Sequence, residues 1–233
     1  GTLFKKMRDI ADDKFNSLPA PTPTANSFSY GVGSSGANTR SLRVSTLASY
    51  NSHSGPCFAR ESLIRMAINV SKRVDEAQKG DLVIGFLNGQ LVVDEIECIL
   101  KTNIKSGKTL LVELDSGWTG TPNHPIKNKE NWVHPKTLKE PLMKNCDCVF
   151  SFLLKNRSTI IINDLESATL AHNLSDNDVI EHSYFGTEKV VEDLKQLNGW
   201  DEGLIEIIPE CIIRHPLTNY VIGIKEIEAE IHV

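Results

Sequence analysis

Three short stretches carry side chains that could act on a peptide bond. The first is "SGPCFARESLIRM", residues 54–66, where Cys57 stands at the seam between a polar segment and an apolar one. A thiol whose own backbone nitrogen belongs to the preceding peptide bond can attack that bond's carbonyl, here Pro56. The amide becomes a thioester, an N-to-S acyl shift, provided the thiol is activated and the amine is protonated as it leaves. The second stretch, "TGTPNHPI", sets Thr121 three residues before His124, with Pro122 and Pro125 in the same turn. Imidazole titrates near neutrality and can give a proton to the departing nitrogen. The Thr121 hydroxyl can donate to the scissile region, and backbone N–H groups there can stabilise an oxyanion. The third stretch ends a pair of strand-like runs at His172-Asn173. An Asn side-chain amide can attack its own carbonyl, close a succinimide and cut the chain. Taken singly, each feature is ordinary. A lone cysteine is most often a small buried hydrophobe, and T-x-x-H or His-Asn is most often a polar turn.

The elements that must position these groups are short strands. "GDLVIGF", "QLVVDEIECIL", "TLLVELDS", "CVFSFLL" and "TIIIN" are β-branched, apolar and bounded by Gly, Asn, Asp or Pro, which predicts an all-β domain of hairpins from Cys57 onward. Asn88-Gly89 in "LNGQ" is the strongest short-range hairpin signal in the chain. Upstream, Leu3, Met7, Ile10, Ala11 and Leu18 recur near helical spacing, and "PAPTPT" would stop that helix. Residues 19–56 read as connector, broken by the strand-like "SLRVSTLAS". Downstream of about residue 173, "TEKVVEDLKQLNGW" puts Val190, Val191, Leu194 and Leu197 on one helical face. Thr187 is the expected N-cap and Gly199 the stop. The charged residues of that helix, 188–195, are expected to be solvated. "GLIEIIP" and "YVIGIKEIEAEI" read as two closing strands.

In order and spacing, the three stretches together resemble the Hint superfamily: inteins, bacterial intein-like domains and the Hedgehog autoprocessing domain. "CFARESLIRM" with "AQKGDLVIG" is similar to the opening motif, where the nucleophile comes first and a Gly-Asp pair, here Gly80-Asp81, precedes a strand. "TPNHPI", about 65 residues on, matches the second motif closely, and "VFSFLL…TLAHN" is similar to the two closing motifs. The remainder, from "HSYFGTEKVVEDLKQLNGWDEG" to "VIGI", looks like the C-terminal extension of Vint domains, Hint relatives found downstream of von Willebrand factor type A domains. The resemblance implies a mainly β Hint fold, a flattened horseshoe of hairpins with a C-terminal β/α extension and an N-terminal helix-plus-loop arm. The implied divisions are an arm at 1–56, a Hint core at 57–173 and an extension at 174–233 packed on the core. It implies single-turnover self-cleavage at Pro56-Cys57 using Cys57, Thr121 and His124, and a second junction at Asn173-Leu174 where His172 assists Asn173.

Three departures bear on that expectation. Ligation of the flanks needs Cys, Ser or Thr after the terminal Asn, and Leu174 is no nucleophile. The position that is often aspartate in the first closing motif is Ser151. The Pro56 ring crowds the carbonyl Cys57 must reach, so the junction is expected to be slow and open to gating by a ligand or partner. The rival reading is a cleavage-inactive Hint scaffold that binds a protein or ligand. The expected partners are an upstream host domain of the von Willebrand factor type A kind and an external nucleophile or water as acyl acceptor.

Composition bounds the rest. With 233 residues, 40% hydrophobic and 24% charged, the chain reads as globular, and a net charge of −5 argues against a nucleic-acid groove or an anionic membrane surface. Five sparse, unpaired cysteines point to reduced thiols and a cytoplasmic protein. Cys146-x-Cys148, with His134 nearby, lacks the spacing of a structural zinc site. No metal or other cofactor and a monomeric state are expected. Cys98 and Cys211 look like core thiols.

Overall fold

The computed structural model describes residues 55–175 and 177–226. The helix expected at 3–18 and the strand-like run at 41–49 lie outside them. The described fold is mainly β: curled sheets followed by a β/α extension. Its first half runs through β1 (Phe58–Ala59), β2 (Leu63–Arg65), β3 (Ser71–Arg73), β4 (Leu82–Leu87), β5 (Gln90–Asn103), β6 (Lys108–Glu113) and β7 (Thr119–Gly120). There follow β8 (Ile126–Asn128), β9 (Asn131–Val133), β10 (Leu142–Asn145), β11 (Cys148–Leu154), β12 (Ile160–Ile162) and β13 (Leu165–Ser167). The extension holds α1 (Glu188–Leu194), β14 (Leu204–Ile207), β15 (Ile212–Arg214) and β16 (Val221–Ile224).

Asn88 and Gly89 both take left-handed backbone, φ 50° and 73°, which is what a two-residue hairpin between paired Leu87 and Gln90 requires. That turn folds β4 onto the first half of β5. The second half of β5 pairs with β11, from Cys148 opposite Asn103 to Leu154 opposite Ile96. On its outer side it takes β14 in parallel, Leu204 opposite Ile99 through Ile207 opposite Thr102. The larger sheet therefore runs β10-β6-β7-β1-β11-β5-β14, and a second sheet runs β3-β2-β12-β13-β8-β9.

β11 is buried at every position, and its alternation divides two cores. Phe150, Phe152 and Leu154 enter one core with Phe58, Ile64 and Trp118. Leu153 enters the other, where Val190, Val191 and Leu194 of α1 pack with Leu100 and Leu170. Each such aliphatic side chain withdrawn from water stabilises the fold by roughly 1.5–3 kcal/mol, which is what binds the extension to the strands. Among the described residues no helix is long and apolar enough to cross a membrane.

Two expectations for the helix need correction. Thr187 holds the N-cap position but makes no side-chain cap. Its hydroxyl donates backward to the Ser183 and Tyr184 carbonyls instead. The α-helix ends at Leu194 rather than at Gly199, which serves the turn into β14. With φ 92°, Gly199 lies so close to Leu204 that a Cβ there would sit 2.0 Å from the Leu204 carbonyl oxygen.

Candidate active site

The register of β1 places Cys57. Phe58 lies opposite Phe150 of β11 and Gly120 of β7. One residue back along an antiparallel strand is one residue forward on each partner, so Cys57 is flanked by Ser151 on one side and Thr121 on the other. All three are buried. Gly120 is required at this crossing, since a Cβ there would come within 2.7 Å of the Cys57 carbonyl oxygen.

Thr121 spans the Pro56–Cys57 peptide bond. Its hydroxyl oxygen accepts from the Cys57 N–H at 3.1 Å, and the hydroxyl donates to the Gly55 carbonyl at 3.0 Å. The Thr121 N–H donates to the Cys57 carbonyl at 2.9 Å. The backbone donor of this loop thus serves the carbonyl of Cys57 itself, not the Pro56 carbonyl before it. The Pro56 carbonyl is met by Ser151, whose Oγ lies 2.6 Å from that oxygen and 3.3 Å from Cys57 Sγ. Sequence reasoning had marked Ser151 only as a missing carboxylate. The signal that could have found its role was a lone hydroxyl in the all-apolar run "CVFSFLL".

Burial pushes the Cys57 thiol up to about 12, with the Ser151 hydrogen bond pulling the other way and the neighbouring Cys146 thiol adding to the rise. At rest Cys57 is therefore a thiol, not a thiolate. Cys146 and Cys148, the pair considered for metal binding, are buried at the start of β11. The Cys146 thiol donates to the Cys148 carbonyl at 3.0 Å, and Arg60 Nη2 donates to Cys148 Sγ at 3.1 Å. Among the described residues, no group of three His, Cys, Asp or Glu side chains could hold a metal ion.

His124 closes the T-x-x-H turn, its N–H donating to the Thr121 carbonyl at 3.1 Å. Its ring is wedged between Phe58, 4.1 Å between ring centres, and Trp118, 5.7 Å. Nε2 lies 2.9 Å from the Ala168 carbonyl oxygen. A carbonyl can only accept, so Nε2 carries the proton and Nδ1 keeps its lone pair. Nδ1 is buried without a hydrogen-bond partner, although the Cys57 backbone is near enough to act on the ring. Burial lowers His124 from 6.5 to about 4, with the Ala168 and Cys57 backbones pulling it partly back. His124 is neutral at rest.

At the other junction, His172 is buried and its Nδ1 accepts the Leu174 N–H at 3.0 Å. That N–H belongs to the nitrogen that would leave if Asn173 cyclised. Asn173 itself is exposed, with φ 56°. The extension holds it: its N–H donates to the Gly186 carbonyl at 2.8 Å, and its side-chain amide is directed to Glu188 Oε1 at 3.5 Å. Glu188 is in turn gripped by Arg157 from the β11–β12 turn, at 2.8 and 3.2 Å. Asp193 accepts from the Tyr184 hydroxyl at 2.7 Å and the Ile224 N–H at 3.0 Å. Of these helix carboxylates, expected to be solvated, Glu188 is exposed and Asp193 half-buried, and both also fasten the extension.

The same extension reaches the first junction. Phe185 gives its carbonyl to the Ala171 N–H at 2.7 Å, while its ring lies against Gly55, where a Cβ would be 2.6 Å from the ring edge. Gly186 sits on the His172 imidazole, 3.2 Å from where its own Cβ would be. The turn Tyr184–Gly186 therefore touches the residue before Pro56 and the residues before Leu174. Sequence reasoning offered no sign of this contact.

The family model for Vint, a Hint domain, matches residues 56–223. The chain belongs to that family, which sets it among autoprocessing-type domains. Among solved structures it is similar to a DnaB intein from Synechocystis sp. PCC 6803, at 13% identity and a TM-score of 0.40 over 48% of this chain and 97% of that one. It is likewise similar to a bacterial intein-like domain from Clostridium thermocellum, at 15% identity and a TM-score of 0.40 over 50% and 99%. A DnaX mini-intein from Spirulina platensis matches at 11% identity and a TM-score of 0.39 over 48% and 99%. No curated protein sequence matches the chain.

Proposed function

We propose that the chain cuts itself once, between Pro56 and Cys57, through an N-to-S acyl shift. The observation that carries this is the bracketing of one peptide bond: Ser151 on its carbonyl oxygen, Thr121 on its N–H, and the Cys57 thiol beside the carbonyl. A sulfur lone pair forms the C–S bond, the C–N bond breaks, and the thiol proton ends on the Cys57 nitrogen. The shift is an isomerisation and needs no co-reactant. Water or an external thiol then opens the thioester and releases the upstream part. His124 Nδ1 is the proton carrier for the departing nitrogen, because it is the unpartnered basic atom beside the Cys57 backbone. Thr121 keeps that nitrogen in place as it becomes an amine.

The second junction is not part of this function. Cyclisation needs the Asn173 amide nitrogen turned onto its own carbonyl carbon, and the extension draws it toward Glu188. Leu174 offers no nucleophile to receive an acyl group. The upstream host domain is the cargo released.

The test is mass spectrometry of the purified chain with and without a small thiol. The parent is expected to give products ending at Pro56 and beginning at Cys57, and Cys57→Ala is expected to give neither while remaining folded. Equal fragment yield from both chains would sink the reading.

A further inference from the structure

We infer that Ser151 is a catalytic residue of the acyl shift: it takes the Cys57 thiol proton while giving its own to the Pro56 carbonyl oxygen. This rests on the reading of Cys57 as the nucleophile. Ser151 touches both reacting groups, with Oγ 2.6 Å from Pro56 O and 3.3 Å from Cys57 Sγ. A hydroxyl has one proton and two lone pairs. At 2.6 Å the carbonyl is the better acceptor of that proton. Turned to sulfur, the hydroxyl donates to Cys57 Sγ and pulls the thiol down; turned to the carbonyl, it leaves its lone pairs for the thiol, and in that rotamer the chain reads S–H to Oγ, O–H to carbonyl.

Along this chain the step balances. The sulfur lone pair forms the C–S bond, and the carbonyl π pair moves onto oxygen. That oxygen takes the Ser151 proton, and Ser151 takes the thiol proton in its place. In the collapse the C–N pair goes to the Cys57 nitrogen, which receives the proton released as the carbonyl re-forms. No bare thiolate or oxyanion appears.

That neutrality matters because the site is buried, where an isolated charge is costly. With the thiol held up to about 12, roughly one molecule in 10⁵ carries a thiolate at pH 7. A route through preformed thiolate would be slowed by that factor, and the relay avoids it. Rotation about a single bond is all Ser151 needs. Its backbone is fixed by pairing, opposite Leu100 of β5 on one side and next to the residue opposite Phe58 on the other.

The test follows thiol-induced cleavage of the full chain, at thiol concentrations high enough that the acyl shift limits the rate. Ser151→Ala is expected to slow it roughly 10²- to 10⁴-fold. The parent rate should be flat from about pH 6 to 9, whereas Ser151→Ala should gain about tenfold per pH unit, since attack then needs a thiolate. A merely structural serine would not change the slope. The parent alone provides a second measurement, independent of how the variant folds. Two protons moving in one step make the rate curve downward with the fraction of heavy water. Parent-like rate and slope in Ser151→Ala, or a straight isotope plot, would overturn the relay while leaving self-cleavage intact. A parent that never cleaves would remove the self-cleavage reading, and the relay with it.

Discussion

His124 Nδ1 is an anomaly: a buried polar atom without a partner, in a ring otherwise fixed by a hydrogen bond and two aromatic neighbours. Such an atom costs stability and calls for a reason, and under the proposed self-cleavage that reason would be a proton passed to the Cys57 backbone beside the ring. The anomaly also has a measurable signature. Between pH about 4, the folded value, and 6.5, the ordinary one, the unfolded chain binds a proton that the folded chain does not. Stability therefore rises with pH across that window and falls as pH drops through it. At 1.4 kcal/mol per unit the loss amounts to about 3 kcal/mol. Urea unfolding at neutral and acid pH should show a steeper decline for the parent than for His124→Gln. Equal declines would mean the ring is not held neutral by its surroundings.

At the scale of elements, two strands of contrasting legibility build the site. β11 announces itself as seven apolar or small residues in a row, and the β4–β5 hairpin announces itself through Asn88-Gly89. Local period and turn chemistry write such elements into the sequence. β1 and β7 are two residues each, too short for any period to register. Their pairing sets Cys57 against residues 64 and 94 positions away. Thus Cys57, Thr121 and His124 could be picked out by order and type, while Ser151 needed the register. The partner of Glu188 was illegible for a related reason: Arg157 comes from a distant turn whose left-handed backbone, φ 62°, no sequence pattern marked. The clamp formed by Glu188 and Arg157 makes its own prediction. The parent is expected to give no product ending at Asn173. Glu188→Ala frees the Asn173 amide and should allow slow succinimide formation, seen as a new mass ending there. An intact Asn173–Leu174 bond in that variant under the same incubation would show that something other than Glu188 restrains it.

Across the whole molecule, the extension completes the strand core rather than hanging from it. β14 covers the outer side of β5, and α1 buries its apolar face on Leu100, Leu153 and Leu170. Ending the chain after Asn173 would bare the β5 edge at Ile99 to Thr102 together with that apolar face. A long unpaired apolar edge invites pairing with other chains. The truncated chain is expected to aggregate, or to elute far above its monomer size, while the full chain does not; a monomeric, well-folded truncation would contradict this. The parallel pairing of β14 with β5 also sets a clock. Ile207 leaves the ribosome about 150 residues after Cys57, which at roughly 5–20 residues per second is an interval of about 8–30 s. Through that interval Cys57 is present without its complete surroundings, since Ser151 follows 94 residues later and Phe185 and β14 come later still. If the junction is cut as proposed, whatever is translated ahead of it has that time to fold before release.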